Sequence, residues 1–151
     1  MNRRLLISAL AALVALAPAF VPSVSVAATS GGAVKPAKPA HVAKGEPVKI
    51  TDYLVPGKTV VFDFYSDFCG PCVQVAPALE RLHKTRADVV VVKVDINRPG
   101  VRGIDWRSPV AQQYKLQSIP HFKVYGPDGK LKAEDGPSSD RARQMVMAML
   151  K

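Results

Sequence analysis

The chain has 151 residues and a formal charge of +9, which falls to +7 without Arg3 and Arg4. Its lysines and arginines are scattered, with no basic stripe interleaved with aromatics, which argues against a nucleic-acid partner. The excess charge reads first as a solvated surface, with attraction to acidic partners or an anionic membrane surface left open.

The N-terminus reads MNRRLLISALAALVALAPAFVPSVSVAATS. A short basic start, an apolar run from Leu5 to Ala17 and small residues up to Ala28 have the layout of a secretory signal peptide over residues 1–28. The alternative is an uncleaved anchor, although Leu5 to Val21, with Pro18 inside, is marginal for a bilayer span. Export, to a periplasm-like compartment, would place the protein where disulfides persist. Residues 29–47 hold Gly, Pro, Ala and Lys without apolar periodicity and are expected to form a flexible, partly extended spacer. Residues 48–151 suit one domain, able to bury roughly two thirds of its unfolded surface. The chain carries no internal repeat.

Within this domain, TVVFDFY (59–65) and VVVVKVD (89–95) read as buried strands. Between them, apolar residues at 72, 75, 76, 79 and 82 have helical spacing, so a parallel βαβ unit is expected. A short helix is expected over Pro109–Tyr114, and HFKVYG and LKAE flank the turn signal PDGK as a hairpin. Ser138 or Ser139 is the expected cap of a last helix. Its inner face is read as Ala142, Met145, Val146 and Met149, with Met147 pointing elsewhere.

Cys69 and Cys72 are the only cysteines. As a structural staple the pair is badly placed, because a four-residue loop gives only roughly 2 kcal/mol, against about 4.7 for a loop near 100 residues. A zinc site needs four ligands, and His41, His83 and His121 form no close pair. Redox chemistry fits the pattern best. A strand ending just before a C-x-x-C that opens a helix puts the first thiol at the helix N-terminus, where free N–H groups and the helix dipole favour the thiolate. The second thiol, nearly a turn later, lies within reach to resolve a mixed disulfide.

The segment VVFDFYSDFCGPCVQVAPALERL resembles the active-site segment of the thioredoxin family, whose form of the motif is CGPC. The resemblance runs from about Val48 to the C-terminus. It implies an α/β, thioredoxin-like fold with a central mixed β-sheet flanked by helices. SIPHF matches the family's cis-proline, here Ile119-Pro120. Asp63 falls where thioredoxins carry a buried acid, Lys93 where they carry a lysine near it, and Pro77 where a proline kinks the helix. Gly136 matches the glycine lining the substrate groove. An acid in an apolar strand has a raised pKa and can take a proton from Cys72, or it can simply be satisfied by Lys93. A substrate segment would then pair with backbone around Ile119 and Pro120.

Three departures stand out. Phe68 replaces the usual Trp before the first cysteine, and His121 follows the proline where Thr is usual; His121 is read as structural or as tuning a thiolate. The part before the first long strand is short, so the first strand and helix are expected to be reduced. Residues 97–109 are longer than the family's connection and carry Trp106, which either joins the substrate surface or covers its own loop. The resemblance implies a monomeric thiol–disulfide oxidoreductase that needs no cofactor or metal. Its clients would be proteins with disulfides or dithiols, and a membrane-embedded thiol protein would return electrons. Gly70 and Pro71, which add no charge beside Cys69, favour a reductase. A disulfide oxidant or isomerase, or a non-catalytic binding module, are the alternatives.

Overall fold

The computed structural model describes residues 34–151; the expected signal peptide lies outside them. Two runs of β-branched and aromatic residues make the centre of the sheet. Strand β2 (Thr59–Tyr65) lies parallel to β3 (Val89–Asp95) over seven register pairs, among them Asp63 with Lys93. On its other edge β2 pairs antiparallel with β4 (His121–Tyr125), which forms a hairpin with β5 (Leu131–Glu134). The outermost strand on the β3 side is β1 (Ala40–Val42), giving a mixed five-stranded sheet in the order β1-β3-β2-β4-β5.

Strand alternation assigns the two faces. Val61, Val89, Val91, Phe122 and Val124 meet helices α1 (Gly70–Thr85) and α3 (Arg141–Met149) through Leu79, Leu82, Ala142 and Val146. Val60, Phe62, Phe64, Val90, Val92 and Val94 face α2 (Pro109–Gln113) through Val110 and Ala111, and the 3-10 turn Ile50–Tyr53 through Ile50. The core is therefore built on both faces of one sheet, as in other α/β domains.

Several expectations need correction. The segment read as spacer supplies β1: Ala40, His41 and Val42 find their partners in Val92, Lys93 and Val94, a pairing that local periodicity cannot announce. The first helix is reduced, as expected, to the turn Ile50–Tyr53. Asp140 occupies the N-cap position of α3 and its side chain makes no capping bond, while Ser139 Oγ accepts from the Arg141 N–H only at a long 3.4 Å. Asp135 does that work from the end of the hairpin. Its carboxylate accepts from the Arg143 N–H at 2.9 Å and from the Phe122 N–H at 3.0 Å. Met145 is exposed rather than core, while Met149 packs against the α1–α3 core. Met147 is exposed, as its helical position implies.

The start of the described chain is fastened to the far end of α1. Lys35 Nζ donates to the carbonyls of His83 and Arg86, the latter at 2.6 Å. His83 is buried; its Nδ1 accepts from the Val91 N–H at 3.0 Å, and its Nε2 donates to the Pro36 carbonyl at 2.8 Å. Burial holds its pKa below the usual value.

Asp135→Ala removes the acceptor for two N–H groups and should lower the unfolding free energy by about 2 kcal/mol. Ser139→Ala should change it by less than about 0.5 kcal/mol. Urea unfolding of the two variants checks the difference; equal effects would return the cap to Ser139.

Candidate active site

Strand β2 ends at Tyr65, and Ser66 begins the turn that carries the chain into α1. The Ser66 carbonyl accepts from the Cys69 N–H at 3.0 Å, and Ser66 Oγ from the Phe68 N–H at 3.1 Å. This places Cys69 at the N-cap of α1, where its sulfur accepts from the Cys72 N–H at 3.2 Å. Pro71 sits in the first turn, a position that needs no donor. Cys69 and Cys72 form a disulfide, both nearly inaccessible. Their surroundings are Tyr65, Ile104 and Ile119. The Ile119-Pro120 bond is cis, and the Ile119 carbonyl lies 3.7 Å from Cys69 Sγ.

Asp63 is completely buried two residues before the end of β2, on the face that carries α1. Its carboxylate has no hydrogen-bond partner among the described residues, and the Lys93 ammonium stands 4.0 Å away. Burial pushes its pKa up to about 7, with Lys93 pulling the other way. Lys93 also lies over the Tyr65 ring, 4.3 Å from its centroid. A cavity of about 190 Å³, lined by Cys72, Tyr65, Asp67, Pro77, Glu80 and Lys93, opens beside the second cysteine. Lys93 thus links the two: it lines the cavity beside Cys72 and stands 4.0 Å from the buried Asp63.

The remaining expected residues divide. Phe68 is more than half exposed beside the dithiol. Gly70 is exposed on the first turn of α1. Gly136 pairs with Ser139 beside Ser118 and Pro137. His121 is not aimed at the sulfur. Alternation along β4 turns it to the opposite sheet face from Asp63, edge-on to Phe64 and 4.0 Å from Glu134. Burial lowers its pKa, so it is neutral at pH 7. The backbone of Trp106 is held locally: its N–H donates to the Ile104 carbonyl, and its carbonyl accepts from the Gln112 side chain of α2. Ile104, which carries no motif, is the loop residue that reaches the dithiol. Arg143 was also invisible in the sequence; its guanidinium donates to the Pro120 carbonyl at 2.6 Å and fixes the loop beside Cys69. His41, His83 and His121 lie apart, and no metal-holding cluster occurs among the described residues.

A dithiol at the head of a helix, at the carboxyl end of a parallel strand pair, defines a thiol–disulfide oxidoreductase of the α/β class. The family model described as Thioredoxin matches residues 49–149, and the chain belongs to the thioredoxin family. Thioredoxin 1 of Plasmodium falciparum is 31% identical over 87 residues, covering 58% of this chain and 76% of its own. Thioredoxin of Streptomyces clavuligerus is 35% identical over 74 residues, covering 49% of this chain and 62% of its own. Among solved structures, Chlamydomonas reinhardtii thioredoxin f2 is similar at a TM-score of 0.51 and 25% identity, over 74% of this chain and 93% of that one.

Because the folded pKa of Asp63 lies above its unfolded value of 3.8, the folded state holds the extra proton between the two. Stability should therefore fall as pH rises from about 4 to about 7, by on the order of 3 kcal/mol. Asp63→Asn should remove this slope and be at least as stable at pH 7. Urea unfolding of both proteins across this range is the check; parallel profiles would show that Asp63 is ionised throughout.

Proposed function

We propose that this protein is an exported reductase of protein disulfides. The observation that carries the reading is a cysteine pair whose first sulfur caps α1, at the end of the strand that holds the buried Asp63 and next to the Lys93 that stands 4.0 Å from it. In the reduced protein, the Cys69 thiolate attacks one sulfur of a client disulfide. A mixed disulfide forms, and the first client thiolate leaves. Asp63 then accepts the proton of the Cys72 thiol. The Cys72 thiolate attacks Cys69 Sγ, the Cys69–Cys72 bond closes and the second client thiolate departs. Two electrons pass to the client, and an external dithiol, in this reading one presented by a membrane protein, must return them. The Ile119 carbonyl faces the sulfur where an extended client segment would lie, with Phe68 and Gly136 as the proposed flanks of that groove.

The direction of electron flow follows from what surrounds Cys69. Gly70 and Pro71 contribute no charge and no side-chain donor. Ile119 is apolar, and His121 is neutral and turned away. The thiolate thus receives little stabilisation beyond the helix terminus, and strong stabilisation is what makes a disulfide an oxidant. Export is supported by the order of basic, apolar and small residues over 1–28. Intact mass of the protein from its native host should give a chain starting near Ala28 or Thr29, and a full-length mass in the membrane fraction would replace cleavage by anchoring.

Equilibration with a glutathione buffer should give a potential nearer thioredoxin's, about −270 mV, than the bacterial oxidant's, about −120 mV. A value more positive than about −180 mV would replace the reductase by an oxidant or isomerase. In the same preparation, Cys72→Ser should accumulate mixed disulfides through Cys69 and Cys69→Ser should not; the reverse would invert the order of attack.

A further inference from the structure

A second feature stands beside Phe68, on ground the thiol chemistry does not use. A pocket of about 490 Å³ opens between the Phe68 ring, Lys44 and the tip of the 97–102 loop, including Pro99, Val101 and Arg102. Two loops lock together to form it. The Arg98 guanidinium gives two bonds to the buried Asp105, at 2.7 and 3.0 Å. Asn97 ties the loop across its width, donating to the Gly103 carbonyl at 2.6 Å and accepting from the Asp105 N–H at 3.3 Å. The loop after β1 fits against this brace. Gly45 donates to the Asp95 carbonyl at 2.9 Å, and a Cβ there would lie 2.5 Å from the Arg98 nitrogen. Ala43 and Lys44 are held in left-handed backbone conformations, at φ of 76° and 50°. The pocket is therefore preformed, which lowers the ordering cost of anything that binds in it.

Its lining combines apolar and cationic side chains. Phe68 is 54% exposed, an unusual amount of bare aromatic surface beside a reactive sulfur, and Pro99 and Val101 continue it. The lining has three cations, Lys44, Arg98 and Arg102, against one carboxylate, Asp95. Arg98 is committed to Asp105. Asp95 is half-buried, bound to the Asn97 N–H at 2.9 Å and within the field of Lys44; Asp67 next to Phe68 and Glu46 near Arg98 are further nearby anions. Lys44 and Arg102 are exposed and have no ion-pair partner among the described residues. A chain that keeps a formal charge of +7 without Arg3 and Arg4 would also draw an acidic partner from a distance.

We infer that this pocket selects clients, docking an extended acidic segment that carries an apolar side chain beside carboxylates and flanks the disulfide. The apolar side chain sits between Phe68, Pro99 and Val101, and the carboxylates meet Lys44 and Arg102. This inference rests on the reductase reading for its placement beside Cys69, but the docking can be measured without turnover.

The probes are two peptides with the same disulfide, flanked by Glu-Leu-Glu in one and by Lys-Leu-Lys in the other. The wild-type kcat/KM should favour the acidic flank by roughly tenfold at low salt, and the preference should shrink as salt screens the rim. In the double variant Lys44→Gln, Arg102→Gln the preference should fall to within about twofold. A wild-type ratio near one, or a ratio the double variant leaves intact, overturns the inference. If the wild type reduces neither peptide, the reductase reading fails instead. Fluorescence anisotropy of a cysteine-free acidic flank peptide then decides the docking: tighter binding to wild type than to the double variant upholds it, and equal binding overturns it.

Discussion

Strand β2 is paired along both edges, and its register governs where every group of the site falls. Parallel to β3 it sets Asp63 opposite Lys93; antiparallel to β4 it sets Asp63 opposite Phe122 and Phe64 opposite His121. A slip of one residue would reverse the two faces of the strand. Asp63 would then point toward α2, and Phe62 and Phe64 would point toward α1. The valines on β2 and β3 resist such a slip, because each side of the sheet has its own helices to cover it. The same register brings Tyr65 to the end of the strand on the α1 side, from which three further residues lead to Cys69. Catalytic geometry here is a by-product of hydrophobic pairing several residues away.

The buried acid illustrates how the site holds two opposed demands. A carboxylate without hydrogen-bond donors is unfavourable in an apolar interior, and a lysine at 4.0 Å offsets this only in part. Burial raises the pKa of Asp63 and Lys93 pulls it back, leaving it near 7. Lys93 is itself held by the face of Tyr65, so its position does not depend on Asp63 alone.

Much of this was legible in the sequence where the signal is periodic or local. TVVFDFY and VVVVKVD gave their strands to the residue, and the helix after Cys69 followed from the apolar positions at 72, 75, 76, 79 and 82. What escaped depends on partners distant in sequence. Three residues of β1 become a strand because β3 has an open edge, not because Ala-His-Val prefers one. The cap of α3 comes from Asp135, eight residues before the N–H it accepts from, beyond the range of a capping pattern. His121 was a candidate at the sulfur by proximity in sequence to Pro120; the alternation of β4 assigns it to the other face, which only the pairing with β2 makes visible. Ile104 and Arg143 approach the dithiol and the proline loop from elements whose local sequence carries no chemical motif.

The fastening of Lys35 and Pro36 has a consequence for presentation. Helix α1 begins at the dithiol and ends, 16 residues later, at the carbonyls that Lys35 grips. At about 1.5 Å per residue, roughly 24 Å of helix separates the two ends. The stretch from Pro36 to β1 therefore starts at the rear of the domain, and the sulfurs look forward. A bead, dye or surface coupled at Val34 would hold the molecule by its back, with the reactive end outward and unobstructed. The grip on the helix carbonyls would also transmit a pull applied there to the end of α1 before any part of the redox centre felt it.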